Sequence, residues 1–189
     1  MNPRETSPER RILDIGCGNR KMPGAVGLDV SPHTQADIIH DLNVFPYPFA
    51  DNEWDEIICR HVLEHLTDFL RSLEELYRIT KPNGVIKIWT PHYSSVFSFT
   101  DPTHRYHFSS FTFELLEPER TRSPLPTEAR FRLRKLQVRM HSLYRLLGLE
   151  LVVNHWRAFR QFWERYLCFL LRAREIYVEL VPLKEGKSG

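Results

Sequence analysis

The chain predicts an α/β protein built on an open, mostly parallel sheet, and three features carry that prediction. Ile12, Leu13 and Ile15 form a short apolar run that stops at Gly16 and Gly18, the way a buried parallel strand hands its backbone to a tight loop. A second run from Ala25 to Leu28 ends on Asp29, so two strands finish on a glycine turn or a carboxylate, where open α/β sheets bind ligands. Strand-like and helix-like segments then alternate as far as Trp89, the pattern of right-handed crossovers between parallel strands.

In chain order, the first ten residues are polar and predict neither a signal peptide nor a helix over the ligand, so a lid has to come from later in the chain. After Asp29, Ser31-Pro32 breaks the chain, Ala36 to Ile39 predicts a third short strand, and Asp41-Leu42-Asn43 follows its tip. Phe45-Pro46-Tyr47-Pro48-Phe49 is too rich in proline for regular structure and predicts a surface loop with its rings turned inward. Trp54 to Cys59 is the fourth strand and leads to Arg60-His61. Thr67 or Asp68 caps a helix whose Phe69, Leu70, Leu73, Leu76 and Tyr77 recur at helical spacing, and Lys81-Pro82-Asn83-Gly84 ends it. Val85 to Trp89 is the fifth strand.

The long, aromatic stretch from Thr90 to Ser110 leaves that strand's carboxyl end and reads as a substrate lid. Ser109 or Ser110 caps a short helix through Leu116. Ser123-Pro124-Leu125-Pro126 reads as a mobile link. Phe131 to Met140 alternates apolar with basic residues and Glu175 to Val181 alternates similarly, which predicts two half-exposed strands. Between them, Trp156 to Arg172 predicts a helix with aromatics on more than one stripe and Arg157, Arg160, Arg165 and Arg172 among them.

Leu13-Asp14-Ile15-Gly16-Cys17-Gly18, followed by Gly27-Leu28-Asp29, resembles motifs I and II of the class I S-adenosylmethionine (SAM) methyltransferases, most closely the small "type 11" group. The likeness continues through Asp41-Leu42, Val62-Leu63-Glu64-His65-Leu66 and Arg78-Ile79-Thr80-Lys81-Pro82-Asn83-Gly84, and covers roughly residues 11 to 117. The resemblance implies a Rossmann-like three-layer sandwich whose mostly parallel seven-stranded sheet is closed by an antiparallel C-terminal strand pair. It also implies SAM as cofactor, with Asp29 on the ribose diol, Asp41 on the adenine amino group and the Leu42 N–H on a ring nitrogen. The implied cofactor set is Asp14, Gly16, Cys17, Gly18, Asp29, Val30, Asp41, Leu42 and His61. One domain over 1–189 follows, with a SAM-binding core at 11–90, a lid at 91–117 and a basic, aromatic C-terminal part at 118–189.

Methyl transfer is an in-line displacement at an activated sulfonium, so the protein mainly aligns the acceptor, takes its proton where needed and excludes water. Histidine is the natural base near neutral pH. His61 and His92 follow the fourth and fifth strands, and His104, Tyr106 and His107 sit in the lid, so these five are the candidate catalytic residues. His65 reads as a structural partner of a neighbouring loop. His92, Asp101, His104 and His107 are a grouping with ligand-type side chains, but no paired-cysteine motif accompanies them, and the sequence predicts no metal.

Two other functions compete. A nicotinamide-dependent (NAD(P)) oxidoreductase of Rossmann type needs a third glycine or alanine where Lys21 stands and an acidic residue later than Asp29. A catalytically inactive SAM-binding partner subunit would use the aromatic helix for docking. Composition bounds the rest: 189 residues with 42% apolar content suit a globular domain, and three cysteines, Cys17, Cys59 and Cys168, argue against a disulfide framework and for the cytoplasm. Between Pro118 and Arg174 there are 13 Lys and Arg against 4 Glu, although the whole chain is only +2. That basic segment favours a small-molecule or lipid-linked acceptor and leaves RNA, membrane-surface contact and a homodimer open, with no transmembrane segment. After the fourth strand the chain reads Cys59-Arg60-His61-Val62 and lacks the Asn/Asp-Pro-Pro-Tyr signature of amino-adenine methylation, which disfavours DNA.

Overall fold

The computed structural model describes residues 10–120 and 125–184. Seven strands form one sheet in the order β3-β2-β1-β4-β5-β7-β6. Strands β1 (Ile12–Ile15), β2 (Val26–Asp29), β3 (Ile38–Ile39), β4 (Trp54–Arg60) and β5 (Thr80–Pro91) run parallel, and β7 (Ala173–Pro182) is antiparallel to both β5 and β6 (Phe131–Met140). The mostly parallel sheet closed by an antiparallel pair is the expected arrangement.

The strands present two unlike faces. On one, Leu13, Ile15, Ile57, Cys59, Ile86, Ile88, Ile176, Val178 and Leu180 are buried and pack with Phe69, Leu73, Leu76 and Ile79 of helix α1 (Phe69–Ile79) and with Phe108 and Phe113 of the lid. On the other face the same strands carry Asp14, Glu56, Arg60, Lys87, Glu175 and Glu179. These are satisfied by ion pairs: Arg60–Asp14 at 2.7 Å, Lys87–Glu56 at 2.6 Å, Arg139–Glu175 at 3.0 Å and Arg134–Glu179 at 3.4 Å. Parallel sheets are normally apolar on both faces because crossover helices cover both. Here the connections from β1 to β2, β2 to β3 and β3 to β4 contain no helix. A charged face is the physical complement of those bare crossovers, since the buried and half-buried carboxylates are compensated by Arg60, Lys87, Arg139 and Arg134, whose side chains stay partly in water.

Local signals explain most boundaries. The Asp68 carboxylate accepts from Arg71 N and caps α1, and Ser109 forms a reciprocal capping box with Thr112 at the start of α3 (Ser110–Glu114), after the single turn of α2 (Phe97–Thr100). Tyr47 is buried while Phe45 and Phe49 pack against the core from their proline-rich loop.

Three expectations need correction. The third strand keeps only Ile38–Ile39. Lys81 to Gly84 does not follow the helix as a separate turn: the helix ends at Ile79, and 81–84 bulge within β5 between the Trp54↔Thr80 and Glu56↔Val85 pairs. The C-terminal helix α6 covers Arg157–Tyr166 instead of Trp156 to Arg172, and is preceded by α4 (Ser142–Leu146) and α5 (Leu149–His155), for which the sequence analysis gave no element. The proposed link at 123–126 lies partly outside the described residues.

Helix α6 packs on the lid through a buried polar cluster. Glu164 accepts from His92 Nε2 at 2.8 Å, from Ser110 N at 2.7 Å and from Ser110 Oγ, while its backbone carbonyl accepts from Tyr93 Oη at 2.6 Å. Glu114 binds Arg157, Arg160 and Gln161. Trp163 fills a second small core with Val138, Met140, Val153 and Cys168.

Candidate active site

The site gathers at the carboxyl ends of β1, β2, β4 and β5. Gly16 has φ 61°, and a Cβ there would stand 2.7 Å from Val62 Cγ2, so glycine is required for the turn. Gly16 N donates to the Leu28 carbonyl at 2.7 Å and Gly18 N to Asp29 Oδ2 at 2.9 Å, which ties the loop to the tip of β2. Ser31 N donates to Asp29 Oδ1 at 2.9 Å. Asp14 is completely buried beneath the loop, where its Oδ2 accepts from Met22 N and Arg60 Nη2, both at 2.7 Å.

Three clefts share His61 as a common wall. One, about 260 Å³, is lined by Gly16, Asp29, Val30, Asp41, Leu42 and His65 among others. A second, about 500 Å³, runs along Gly16, Cys17, Gly18, Arg20, Arg60 and Trp89. A third, about 360 Å³, is lined by Glu64, His65, Pro91, Phe97, His104 and Glu175 under the lid. A larger groove of about 520 Å³ between β6 and α5 contains none of the predicted site residues.

The first two clefts suit SAM on the structure's own terms. No atom lies within 4 Å of where a Gly18 Cβ would stand, so the loop offers open backbone there. Each Asp29 oxygen accepts one backbone N–H and keeps a further lone pair for a ribose hydroxyl. Asp41 Oδ1 accepts from Asn43 N and Nδ2, both at 2.9 Å, so it also closes its own turn. Cys17 is buried in the loop, and burial first, then the carboxylates of Asp14 and Asp29, push its thiol upward, against a reactive thiolate.

The candidate bases fall in different places. His61 is a non-glycine residue at φ 52°, held by its N–H to the Trp89 carbonyl. Its Nε2 stands 3.5 Å from Glu175 and its Nδ1 3.4 Å from Glu64. Glu175 and then Glu64 raise its pKa to about 9, which favours the protonated ring at neutral pH. His92 is completely buried between Ser94 and Glu164 and does not reach the clefts. His107 is exposed, stacked on Phe99 and bonded to Ser98 Oγ at 2.8 Å. Tyr106 packs on Phe69 and Phe108 while its hydroxyl donates to the Thr67 carbonyl at 3.1 Å, a strut at the start of α1. Of the five candidates, His61 and His104 line the lid cleft.

Sequence reasoning missed three residues there. Glu175 is supplied by β7 from the far end of the chain, and Glu64 points inward with 1% exposure. His65, read as a loop partner, does hold Thr103 of the lid at 2.8 Å but also lines two of the clefts. The spacing His61-x-x-Glu64-His65 was the available signal, because it places these side chains within one turn of a strand end.

Comparison with known proteins agrees with this geometry. Residues 13–88 match the family model described as a methyltransferase domain. A demethylmenaquinone methyltransferase of Lysinibacillus sphaericus is 30% identical over 102 aligned residues, 42% of this chain and 43% of the relative. A 2-phytyl-1,4-naphtoquinone methyltransferase of Nostoc sp. is 40% identical over 52 residues, 28% of this chain and 23% of the relative. The chain therefore spans less than half the length of these curated relatives. Among solved structures, a SAM-dependent methyltransferase from Archaeoglobus fulgidus superposes with a TM-score of 0.61 at 19% identity, covering 92% of this chain and 86% of that one. One from Mesorhizobium loti gives 0.58 at 13% identity, covering 90% of each. The glycine loop, the acidic strand tip and the seven-stranded mixed sheet thus go with a match to a methyltransferase domain over residues 13–88 and with the fold of these SAM-dependent methyltransferases.

Proposed function

We propose that the protein transfers a methyl group from SAM to an oxygen or nitrogen of an acceptor held in the cleft between His61, Glu64, His104 and the lid. The observation that carries this reading is the convergence of a cofactor-shaped pair of clefts and a separate lid-covered cleft on one residue, His61. SAM, when bound, supplies a methyl group on a sulfonium that needs no further activation. The chain's own contribution is then positional: Asp29 and the Gly16–Gly18 loop hold the donor, and the lid, tied to Glu64 by Arg105 N donating to its carbonyl at 2.7 Å, keeps water out. Mass-spectrometric detection of a methylated product from SAM, with calorimetry of S-adenosylhomocysteine, tests it. Binding of NAD in its place would move the reading to the oxidoreductase, and SAM binding without turnover on any acceptor would move it to the binding subunit.

A hydrophobic, lipid-linked acceptor is the favoured class. The Tyr144 hydroxyl donates to the Leu170 carbonyl at 3.2 Å and so joins α4, with exposed Leu143, Leu146 and Leu147, to the turn that exposes Phe169 and Leu170. Phe97, at the mouth of the lid cleft, meets the ring of His141 just before α4 at 6.4 Å, which makes this apolar surface continuous with the cleft. Exposed Arg145, Arg165 and Arg172 stand among these residues, a mixture suited to an anionic headgroup boundary. The named relatives act on quinones, and no helix among the described residues is long and apolar enough to cross a membrane, so surface contact is the mode this reading requires. In flotation with anionic vesicles, Leu146→Ser with Leu170→Ser should abolish binding while the melting temperature holds. Vesicle binding unchanged by the double variant would remove the lipid surface from the proposal.

A further inference from the structure

We propose that Glu64, His65 and His104 form a binding site for a first-row divalent cation on the wall of the acceptor cleft. One ligand atom from each of the three lies within 4.8 Å of the others. Bonds of about 2.0 to 2.2 Å to such a cation bring neighbouring ligand atoms to roughly 3.0 to 3.5 Å, so the ligand atoms need to draw in by at most about 2 Å to close the site. Glu64 comes from the 3-10 turn Leu63–His65 and His104 from the lid, so the cation would also pin the lid to the sheet.

The hydrogen bonds around the cluster prepare it for a metal. Thr103 Oγ1 donates to Asp101 Oδ1 at 2.7 Å and therefore accepts from His65 Nδ1 at 2.8 Å. His104 Nδ1 donates to the Ser98 carbonyl at 3.1 Å. Both rings thus carry their proton on Nδ1 and keep the Nε2 lone pair, the outer-shell pattern that orients ligating imidazoles. Glu64 is 1% exposed, its Oε2 accepts from Thr90 Oγ1 at 3.1 Å, and its Oε1 is buried with no hydrogen-bond partner. The half-exposed His61 imidazole stands 3.4 Å from that oxygen, a long contact that leaves the buried carboxylate oxygen with lone-pair capacity for a cation. A bound cation replaces that contact while His61 keeps Glu175 on its other nitrogen.

Two imidazoles and one carboxylate with open remaining positions suit Zn²⁺, Fe²⁺ or Co²⁺ over Mg²⁺. The sequence offered His92, Asp101, His104 and His107 as the possible ligand group and predicted no metal because no paired-cysteine motif accompanied them. The fold separates that set, burying His92 against Glu164 and turning His107 to Ser98, and substitutes two residues from the turn after β4. The cation's role rests on the methyl-transfer reading, whereas the site does not. In that role it would hold a hydroxyl-bearing acceptor. The hydroxyl would release its proton to solvent as it enters and binds the cation, its oxygen lone pair would form the O–CH₃ bond, and the S–CH₃ pair would return to sulfur.

The test is calorimetry of Co²⁺, Zn²⁺ and Mg²⁺ with the chelator-stripped full chain, run beside S-adenosylhomocysteine. The expected result is one equivalent of Co²⁺ or Zn²⁺, weakened at least about 100-fold by His65→Ala and by His104→Ala and unchanged by His155→Ala. Independently of any variant, the Co²⁺ form should show paramagnetically shifted Nδ1–H signals from two imidazoles. Absence of a stoichiometric site, affinity in either histidine variant equal to that of the unsubstituted chain, no shifted imidazole signals, or a preference for Mg²⁺ would each overturn the site. S-adenosylhomocysteine binding without metal leaves the methyl-transfer reading and removes the cation. Metal binding without S-adenosylhomocysteine does the reverse.

Discussion

The two faces of the sheet are built from alternate residues of the same strands and obey different physics. Under α1, Ile57, Ile86, Ile88, Ile176, Val178 and Leu180 are each 0% exposed and touch one another and the helix, so their contribution comes from water removed and close packing. On the opposite face Asp14, Glu56, Glu175 and Glu179 meet Arg60, Lys87, Arg139 and Arg134, some of them half in water. The comparison teaches a division of labour. The apolar face decides whether the chain folds, and the charged face, which continues into the glycine loop through Asp14–Arg60 and into the acceptor cleft through Glu175, sets the electrostatics of the site.

The largest effect expected from breaking this division is on the apolar side. Ile88→Ala opens a cavity in a fully buried position and should cost about 2 to 5 kcal/mol, read as a lower urea midpoint, while the variant that remains folded binds S-adenosylhomocysteine normally. A lost cofactor site with unchanged stability would invert the assignment of the two faces.

Next comes the strand tip, where the charged side becomes function. Asp29→Ala removes the carboxylate that holds Gly18 N and offers its remaining lone pairs to the cofactor ribose, so S-adenosylhomocysteine affinity should fall by roughly 2 to 4 kcal/mol. Stability should change little, because Asp29 lies at the rim of the sheet. An unchanged dissociation constant would sink the cofactor reading of that cleft.

A third test uses a charge cluster that is buried instead of solvated. Burial alone would raise the Glu114 carboxyl, but Arg157, Gln161 and Arg160 together hold it below the usual carboxylate range. A depressed folded-state pKa means that the stabilisation is fully present above the unfolded value of about 4.3 and is lost as pH falls through the lower folded value. The contact of α6 with α3 should therefore loosen only in acid, seen as a fall of Trp163 fluorescence protection below that range, and Glu114→Gln should flatten this dependence. Acid loosening that persists in Glu114→Gln would assign it to another carboxylate.

What the sequence made legible follows the same division. Short-range signals were sufficient for the glycine loop, Asp29, the Asp68 cap and the alternation of β6 and β7, because each is a matter of spacing within one segment. The strand count and the antiparallel closing pair came from the family resemblance and not from these signals. What stayed hidden were the side-chain pairings between distant segments: His61 with Glu175, His92 with Glu164, and Glu64 and His65 with His104. Histidine in the lid marks candidate chemistry, but only the fold decides that His92 is a buried strut and His104 a cleft wall. The aromatic excess of the C-terminal helix was visible as a pattern wider than one stripe. The structure divides it into Trp163 inside and Phe162 and Tyr166 outside.

The smallest effect sharpens the comparison most. Arg134 lies 3.4 Å from Glu179 and its side chain is 62% exposed, so the pair is screened by water and gains little over two hydrated ions. Its partner does not depend on it alone, because Glu179 Oε1 accepts from the Tyr177 hydroxyl at 2.6 Å. Arg134→Ala should then change stability by about 0.5 kcal/mol or less, with the residual effect shrinking further in salt. Glu56, 2% exposed and bound by both Lys87 and Arg10, cannot be treated the same way, since losing Lys87 leaves a buried carboxylate with one partner. Denaturant melts of Arg134→Ala beside Lys87→Met therefore grade the charged face by burial. A cost for Arg134→Ala approaching that of Ile88→Ala would mean that this face carries the fold as heavily as the apolar one, and the division drawn between them would fail.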